Sequence, residues 1–91
     1  VSIPSDKEIV EVILKFSAKR IPYVLTKPLH GASQRLDKTD PEKRTIILNL
    51  LPNKEMYQAI LAFGSDVQVL GPKEVIESMK EITVRMQKNY N

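Results

Sequence analysis

Residues 54–90 constrain the fold more than any other stretch, because helix, strand and helix patterns follow one another there with stop signals between them. Apolar residues recur in the first part at three- and four-residue spacings, which places them on one face of an α-helix. They are Met56, Tyr57, Ile60, Leu61 and Phe63. Asn53 precedes this pattern and is a favoured N-cap residue. Gly64 follows it, where a helix that ends in a left-handed residue favours glycine.

A short strand and a second helix come next. Val67 and Val69 alternate with polar residues at the two-residue period of a half-buried strand. We expect Gly71 and Pro72 to open the following helix, with the proline in its first turn, where the missing N–H has no cost. The apolar stripe of this second helix consists of Val75, Met79, Ile82, Met86 and Tyr90.

A β-branched run at residues 10–16 predicts the first strand of the chain. Val10, Val12, Leu14 and Phe16 alternate onto one face, and Ile13 lies on the other face with the charged residues Glu11 and Lys15. Apolar side chains on both faces favour a central strand over an edge strand.

Pro22 limits the next segment to a short helix, since a proline inside a helix removes a hydrogen bond and clashes with the preceding turn. We expect this helix to begin near Pro22, to bury Tyr23, Val24 and Leu25, and to end at Pro28.

Residues 29–51 predict a hairpin. A small, polar stretch becomes a charged strand that runs to about Lys38, and residues 39–42 form a turn. An apolar strand then occupies residues 43–51 and ends at Pro52. The charged strand is expected at an edge of the sheet and the apolar strand at its centre.

The predicted order is therefore strand, helix, strand, strand, helix, strand and a closing helix. Such an order favours an α+β, ferredoxin-like βαββαβ sandwich with a four-stranded antiparallel sheet and an extra C-terminal helix. Right-handed crossovers place the first and third strands in the middle. We assign residues 7–91 to one domain and residues 1–6 to the remnant of a linker in a longer protein, since the chain does not begin with Met.

Composition excludes several functions. The 91 residues contain no Cys, which removes disulfides, thiolate metal sites and cysteine nucleophiles and fits a cytoplasmic location. No apolar run approaches the roughly 20 residues that span a bilayer. RNA-binding proteins of this fold stack bases on aromatic residues of the central strands, whereas here those strands offer Phe16 at one end and otherwise aliphatic residues. No pairing of a nucleophile with a base is identifiable, and we expect no enzyme activity, no cofactor and no metal.

Two loops carry the candidate binding residues. Lys19 and Arg20 follow the first strand and could contact an anion. His30, Ser33, Gln34 and Arg35 lie in the polar loop and at the start of the charged strand, where they could contact a ligand or a partner. Most loop histidines bond only to nearby backbone, and the lysine and arginine are equally typical of a solvated loop. If the loop contacts a ligand or partner, replacement of His30 or Gln34 by alanine should alter regulation in the full-length protein and cost this domain little stability.

Three parts of the sequence resemble the C-terminal extension domain of bacterial WYL-domain transcriptional regulators. The first is V-E-V-I-L-K-F at residues 10–16, and the second is L-H-G-A-S-Q at residues 29–34, which is similar to the family's His-x-x-Ser-Gln signature. The third is I-L-A-F-G at residues 60–64 with V-Q-V-L-G-P at residues 67–72, trailed by a helix that ends in Asn89 and Tyr90. The resemblance covers residues 7–90.

The resemblance implies a regulator whose helix-turn-helix DNA-binding domain and WYL domain lie outside this chain, which contains no Trp. It implies a non-catalytic role in dimerisation and in passing a ligand signal to the DNA-binding domain. The expected partners are a second copy and the missing WYL domain; DNA is contacted only by the full-length protein, and no membrane is involved. The alternative is an effector-binding module of the ACT type that takes a small molecule or nucleotide near residues 17–20 and 30–34.

Overall fold

The computed structural model describes residues 9–31 and 33–90, and the predicted linker at residues 1–6 lies outside them. Seven helices and strands follow one another in this part of the chain. They are β1 (Val10–Phe16), α1 (Ile21–Thr26), β2 (Arg35–Leu36), β3 (Thr45–Leu50), α2 (Lys54–Leu61), β4 (Val67–Gly71) and α3 (Lys73–Lys88), with a 3₁₀ turn at Gly64–Asp66 before β4. The chain is thus a mixed α and β domain.

The four strands form one antiparallel sheet in the order β2-β3-β1-β4. This order confirms that the first and third strands lie in the middle and that the strand after the polar loop lies at an edge. β1 and β3 pair along most of their length, from Val10 opposite Leu50 to Lys15 opposite Thr45.

One face of the sheet carries the hydrophobic core. Val12, Leu14 and Phe16 of β1 point to this face, as do their β3 neighbours Ile46 and Leu48. The helices add the remaining buried apolar residues, Ile21, Val24, Met56, Ile60 and Val75. Glu11, Ile13 and Lys15 lie on the opposite, open face, which confirms that β1 has apolar side chains on both faces.

The predicted buried face of α1 was partly wrong. Ile21 and Val24 are buried, whereas Tyr23 and Leu25 are each 50% exposed. Consecutive residues lie about 100° apart around a helix axis, so three in a row cannot all face the sheet. A spacing of three residues places Ile21 and Val24 on the same side. The helix begins beside Pro22 and ends before Pro28, as predicted.

β2 is shorter than predicted, since it ends at Leu36 and not near Lys38. The amide of Asp37 still donates to the carbonyl of Thr45 at 2.8 Å. The Asp37 carboxylate then accepts hydrogen bonds from the amide and hydroxyl of Thr39. A side chain that bonds the backbone two residues on favours a turn, which ends the strand.

α2 begins as predicted but ends earlier than predicted, and the start of α3 differs by one position. α2 ends at Leu61, so Phe63 and Gly64 lie beyond its C-cap residue Ala62. The Asn53 side chain accepts a hydrogen bond from the amide of Met56 at 2.9 Å and caps α2. Gly64 has a φ of 59°, the left-handed conformation expected after this helix. Pro72 is the N-cap residue of α3 and does not lie within its first turn.

Candidate functional site

The polar loop before β2 is bonded to the edge of β3 through Ser33. The odd-numbered residues of β3 direct their main-chain groups toward β2, as the bond from Asp37 to Thr45 indicates. Arg35 opposite Ile47 is the last pair between β2 and β3, and Asn49 is the next odd-numbered residue of β3. The amide of Asn49 donates to Ser33 Oγ at 3.0 Å, and Ser33 Oγ donates to the carbonyl oxygen of Asn49 at 3.2 Å. A side-chain hydroxyl therefore satisfies both main-chain groups that β2 does not reach.

His30 is the third partner of the Ser33 hydroxyl, with its Nδ1 2.6 Å from Ser33 Oγ. The hydroxyl has one proton, which it donates to the carbonyl of Asn49. With the hydroxyl proton directed to Asn49, the Nδ1 atom of His30 is the donor in its contact with Ser33. In the neutral ring Nε2 is left as a hydrogen-bond acceptor.

Gln34 bonds to backbone groups of two different segments with its side-chain amide. Its Oε1 accepts from the amide of Leu29 at 2.9 Å, and its Nε2 donates to the carbonyl of Val24 at 3.2 Å. The side chain thereby fixes the C-terminal half of α1 to the loop that follows it.

Arg35 extends across the open face of the sheet. Its guanidinium donates to Asn49 Oδ1 on β3 at 2.8 Å and to Glu11 Oε2 on β1 at 2.8 Å. All three side chains are at the surface, so the ion pair adds little stability by itself. The structure thus brings together four of the predicted residues, His30, Ser33, Gln34 and Arg35, in one hydrogen-bonded loop.

Lys19 and Arg20 lie at the other end of β1, away from this loop. The Nε of Arg20 donates to Asp66 Oδ2 at 3.1 Å, and Ser17 Oγ donates to Asp66 Oδ1 at 3.2 Å. The hydrogen bond from Arg20 is the main reason that the pKa of the Asp66 carboxyl lies below its ordinary value. Arg20 thus has a carboxylate partner within the chain, and contact with an external anion stays a prediction.

A cleft of about 410 Å³ lies between the covered face of the sheet and α2; we call it the α2 cleft. Aliphatic residues form most of its surface, among them Leu29, Leu50, Leu51, Met56 and Ala59. Its polar lining residues include His30, Asn53 and Glu55. This cleft was not predicted from the sequence. The short interval between Ser17 and Pro28 limits the length of α1, and it could have indicated that part of the sheet stays uncovered.

The C-terminal half of α3 forms a second surface, which we call the distal α3 stripe and define as Ile82, Met86 and Tyr90. The apolar stripe of α3 begins buried at Val75 and becomes half-buried at Met79 and Ile82. Met86 is 47% exposed and Tyr90 is 89% exposed. The stripe was predicted as a continuous apolar face, and its last turns extend beyond the sheet that covers its first turns.

Two kinds of feature are absent from residues 9–31 and 33–90. No group of three or more His, Asp or Glu side chains there could hold a metal ion. No helix of this part combines the length and hydrophobicity needed to cross a membrane.

The domain thus combines an antiparallel sheet with helices on one face, a loop fixed by side-chain hydrogen bonds, and an apolar helix end. The family model of the WCX domain matches residues 8–87, and the chain belongs to this family. The WCX domain is the C-terminal extension domain of WYL-domain regulators, which confirms the resemblance drawn from the sequence. Transcriptional regulators of this class are generally non-enzymatic. No curated protein and no solved structure matches the chain.

Proposed function

We propose that this chain is a dimerisation domain of a cytoplasmic WYL-domain transcriptional regulator and transmits a ligand signal to a DNA-binding domain outside the chain. Membership of the WCX family supports a regulatory role at the C-terminus of such a protein. Regulators of this class typically act as dimers. The distal α3 stripe is the observation that carries the proposal, because an amphipathic helix with its apolar face uncovered needs a partner.

A second copy of this chain is the proposed occupant of the distal α3 stripe. Glu74, Glu77 and Glu81 lie in the first two thirds of α3, and Arg85 and Lys88 lie in its last turn. Antiparallel pairing of two copies about a two-fold axis places the basic end of each helix beside the acidic part of the other. Lys73 and Lys80 lie among these acids, and Glu77 pairs with Lys80 and Glu81 with Arg85 within the helix, so the charge complementarity is modest. The centre of this arrangement lies near Ile82, with Met86 beside it in the contact.

Edge-to-edge pairing through β2 is less favoured than helix pairing. β2 has only two residues, and the next polar groups of β3 are already bonded by Ser33. Arg35 is engaged with Glu11 and Asn49 on the open face. The last helix, in contrast, carries the exposed apolar residues Met86 and Tyr90.

We further infer a ferredoxin-like βαββαβ unit over residues 7–91, with α3 as an addition to it. The element order and the central position of β1 and β3 support this inference. The alternative function, a module that binds a small-molecule effector, is supported by the α2 cleft and not by the turn at residues 17–20.

The test of the proposed dimer is sedimentation of the chain over a concentration series. We expect a reversible dimer that Met86→Glu converts to a monomer, because a charge would be placed in an apolar contact. Val84→Glu is the matched control: Val84 is 48% exposed, and it lies about 200° from Met86 around the helix axis. A monomer at every concentration, or equal effects of the two substitutions, would contradict the proposal.

A further inference from the structure

The α2 cleft exists because α1 is too short to cover the sheet. α1 has six residues and extends about 9 Å, whereas the seven residues of β1 extend about 23 Å. α1 packs beside the C-terminal end of β1, and Pro28 prevents it from continuing. The loop at Leu29 and His30 and the first turns of α2 flank the uncovered part of the sheet, and the space between them is the cleft.

The size and lining of the cleft suit a small molecule. Binding pockets for such molecules range over about 300–1,000 Å³, and the α2 cleft measures about 410 Å³. Fully buried core residues, including Val12, Leu48 and Ile60, lie directly behind its surface. They belong to the sheet and to α2, which together support the cleft. An apolar molecule that enters would exchange water for aliphatic contacts.

His30 indicates which polar group such a molecule should carry. His30 lines the cleft, and when its Nδ1 donates to Ser33 the Nε2 atom of the neutral ring is an acceptor. It would pair with a hydroxyl or N–H group of a ligand. The carboxylate of Glu55 also lines the cleft, and it disfavours an anionic ligand by like-charge repulsion.

We propose that the α2 cleft binds a neutral, mainly apolar small molecule that donates one hydrogen bond to His30. The site is separate from the distal α3 stripe, so the proposal stands or falls independently of dimerisation. It gives the domain its own capacity to bind a small molecule.

The test uses 2-naphthol as the probe, an aromatic ring system with a single hydroxyl. Titration followed by amide NMR should shift the signals of residues that line the cleft, including Leu29, Leu51 and Ala59. The matched ligand 2-methoxynaphthalene cannot donate a hydrogen bond and should bind about threefold to tenfold more weakly, the equivalent of one net hydrogen bond. Equal affinity of the two compounds would overturn the assignment of a donor ligand.

Replacement of two native alanine residues, one in α2 and one at its C-cap, locates the site. Ala59 lines the cleft, and Ala59→Phe should fill it and weaken 2-naphthol binding by more than about tenfold. Ala62 is exposed at the end of the same helix and is not part of the lining, so Ala62→Phe should leave the affinity unchanged. Amide spectra of both variants verify that they are folded. If Ala59→Phe does not fold, Ala59→Leu is the smaller replacement and should weaken binding in the same direction.

Three results would overturn the proposal. The first is no binding of 2-naphthol up to its solubility limit, and the second is equal affinity of the Ala59→Phe and Ala62→Phe variants. The third is binding that appears only when residues 1–6 are removed, which would mean that the start of the chain itself occupies the cleft.

Discussion

Ser33 and Asn49 are joined as neighbouring strand residues would be, although Ser33 belongs to a loop. One hydroxyl oxygen lies 3.0 Å from the amide nitrogen of Asn49 and 3.2 Å from its carbonyl oxygen. The contact extends the hydrogen bonding of β3 past the two-residue β2. It also sets the tautomer of His30, and so it connects the edge of the sheet to the α2 cleft.

Ser33→Ala should therefore destabilise the domain. The substitution leaves the main-chain amide and carbonyl of Asn49 without their protein partner, and we expect the free energy of unfolding to fall by about 1–3 kcal/mol. Urea denaturation measures this quantity. Ser65→Ala at an exposed position is the control and should change it by less than about 0.5 kcal/mol. Equal values for the two variants would mean that water replaces the hydroxyl without loss.

Gln34 should be structural, contrary to what the sequence suggested. Gln34→Ala removes the partners of Leu29 N and Val24 O, and we expect a loss of about 1–3 kcal/mol in urea denaturation. Gln34→Glu keeps the acceptor for Leu29 and loses the donor to Val24. Its free energy of unfolding should therefore also fall below that of the wild type. The exposed Gln58 gives the control, since Gln58→Ala should be nearly neutral. A neutral Gln34→Ala would restore the loop as a candidate contact surface.

Lys43→Gly should stabilise the domain. Lys43 has a φ of 55°, which disfavours any residue with a Cβ atom. Glycine adopts this conformation without strain but loses more backbone entropy on folding, and the balance should raise the free energy of unfolding by about 0.5–1 kcal/mol. Lys38→Gly, in the same turn region, has no such strain to relieve and should be destabilising. Thermal denaturation of the two variants gives the comparison directly.

Asp40 should make stability depend on pH in acid. A hydrogen bond from the Thr45 hydroxyl, followed by one from the amide of Glu42, lowers the pKa of Asp40 from 3.8 to about 2. The folded pKa is below the unfolded one, so the ionised carboxylate contributes its full stability above about pH 4, and the contribution is lost as the pH falls to about 2. Urea denaturation of the wild type and Asp40→Asn at several pH values should show their difference shrinking over this range.

Thr45→Val is the matched variant for this pH effect. Because the Thr45 hydroxyl is the main cause of the lowered pKa, its removal should weaken the dependence on pH in the range from about 4 to about 2. An unchanged dependence would mean that another group sets the acid behaviour of the domain.

Helices, strands and caps were predicted correctly from the sequence where short-range patterns determine them. The alternating apolar residues of β1, the capping side chain of Asn53 and the positive φ of Gly64 all follow from short-range rules. The strand order also followed, because chain order and crossover handedness leave few arrangements. The face of α1 was missed, since a continuous apolar run in a six-residue helix does not reveal which side meets the sheet.

The candidate site was harder to predict because it depends on contacts between distant segments. Ser33 and Asn49 are 16 residues apart, and Gln34 reaches back ten residues to Val24. No local sequence pattern indicates that these groups are in contact. The α2 cleft was still harder to predict, because it lies over the part of the sheet that α1 leaves uncovered. That part can be recognised only when the lengths of α1 and β1 are both known.

The position of α3 has a mechanical consequence. Its 16 residues form a rod about 24 Å long, held at one end by the buried Val75 beside β4. A rod anchored at one end acts as a lever, so a small tilt at Val75 becomes a larger displacement at Lys88. β4 pairs with β1, and β1 forms part of the wall of the α2 cleft. β1 and β4 therefore connect the α2 cleft to the anchored end of α3 through one sheet.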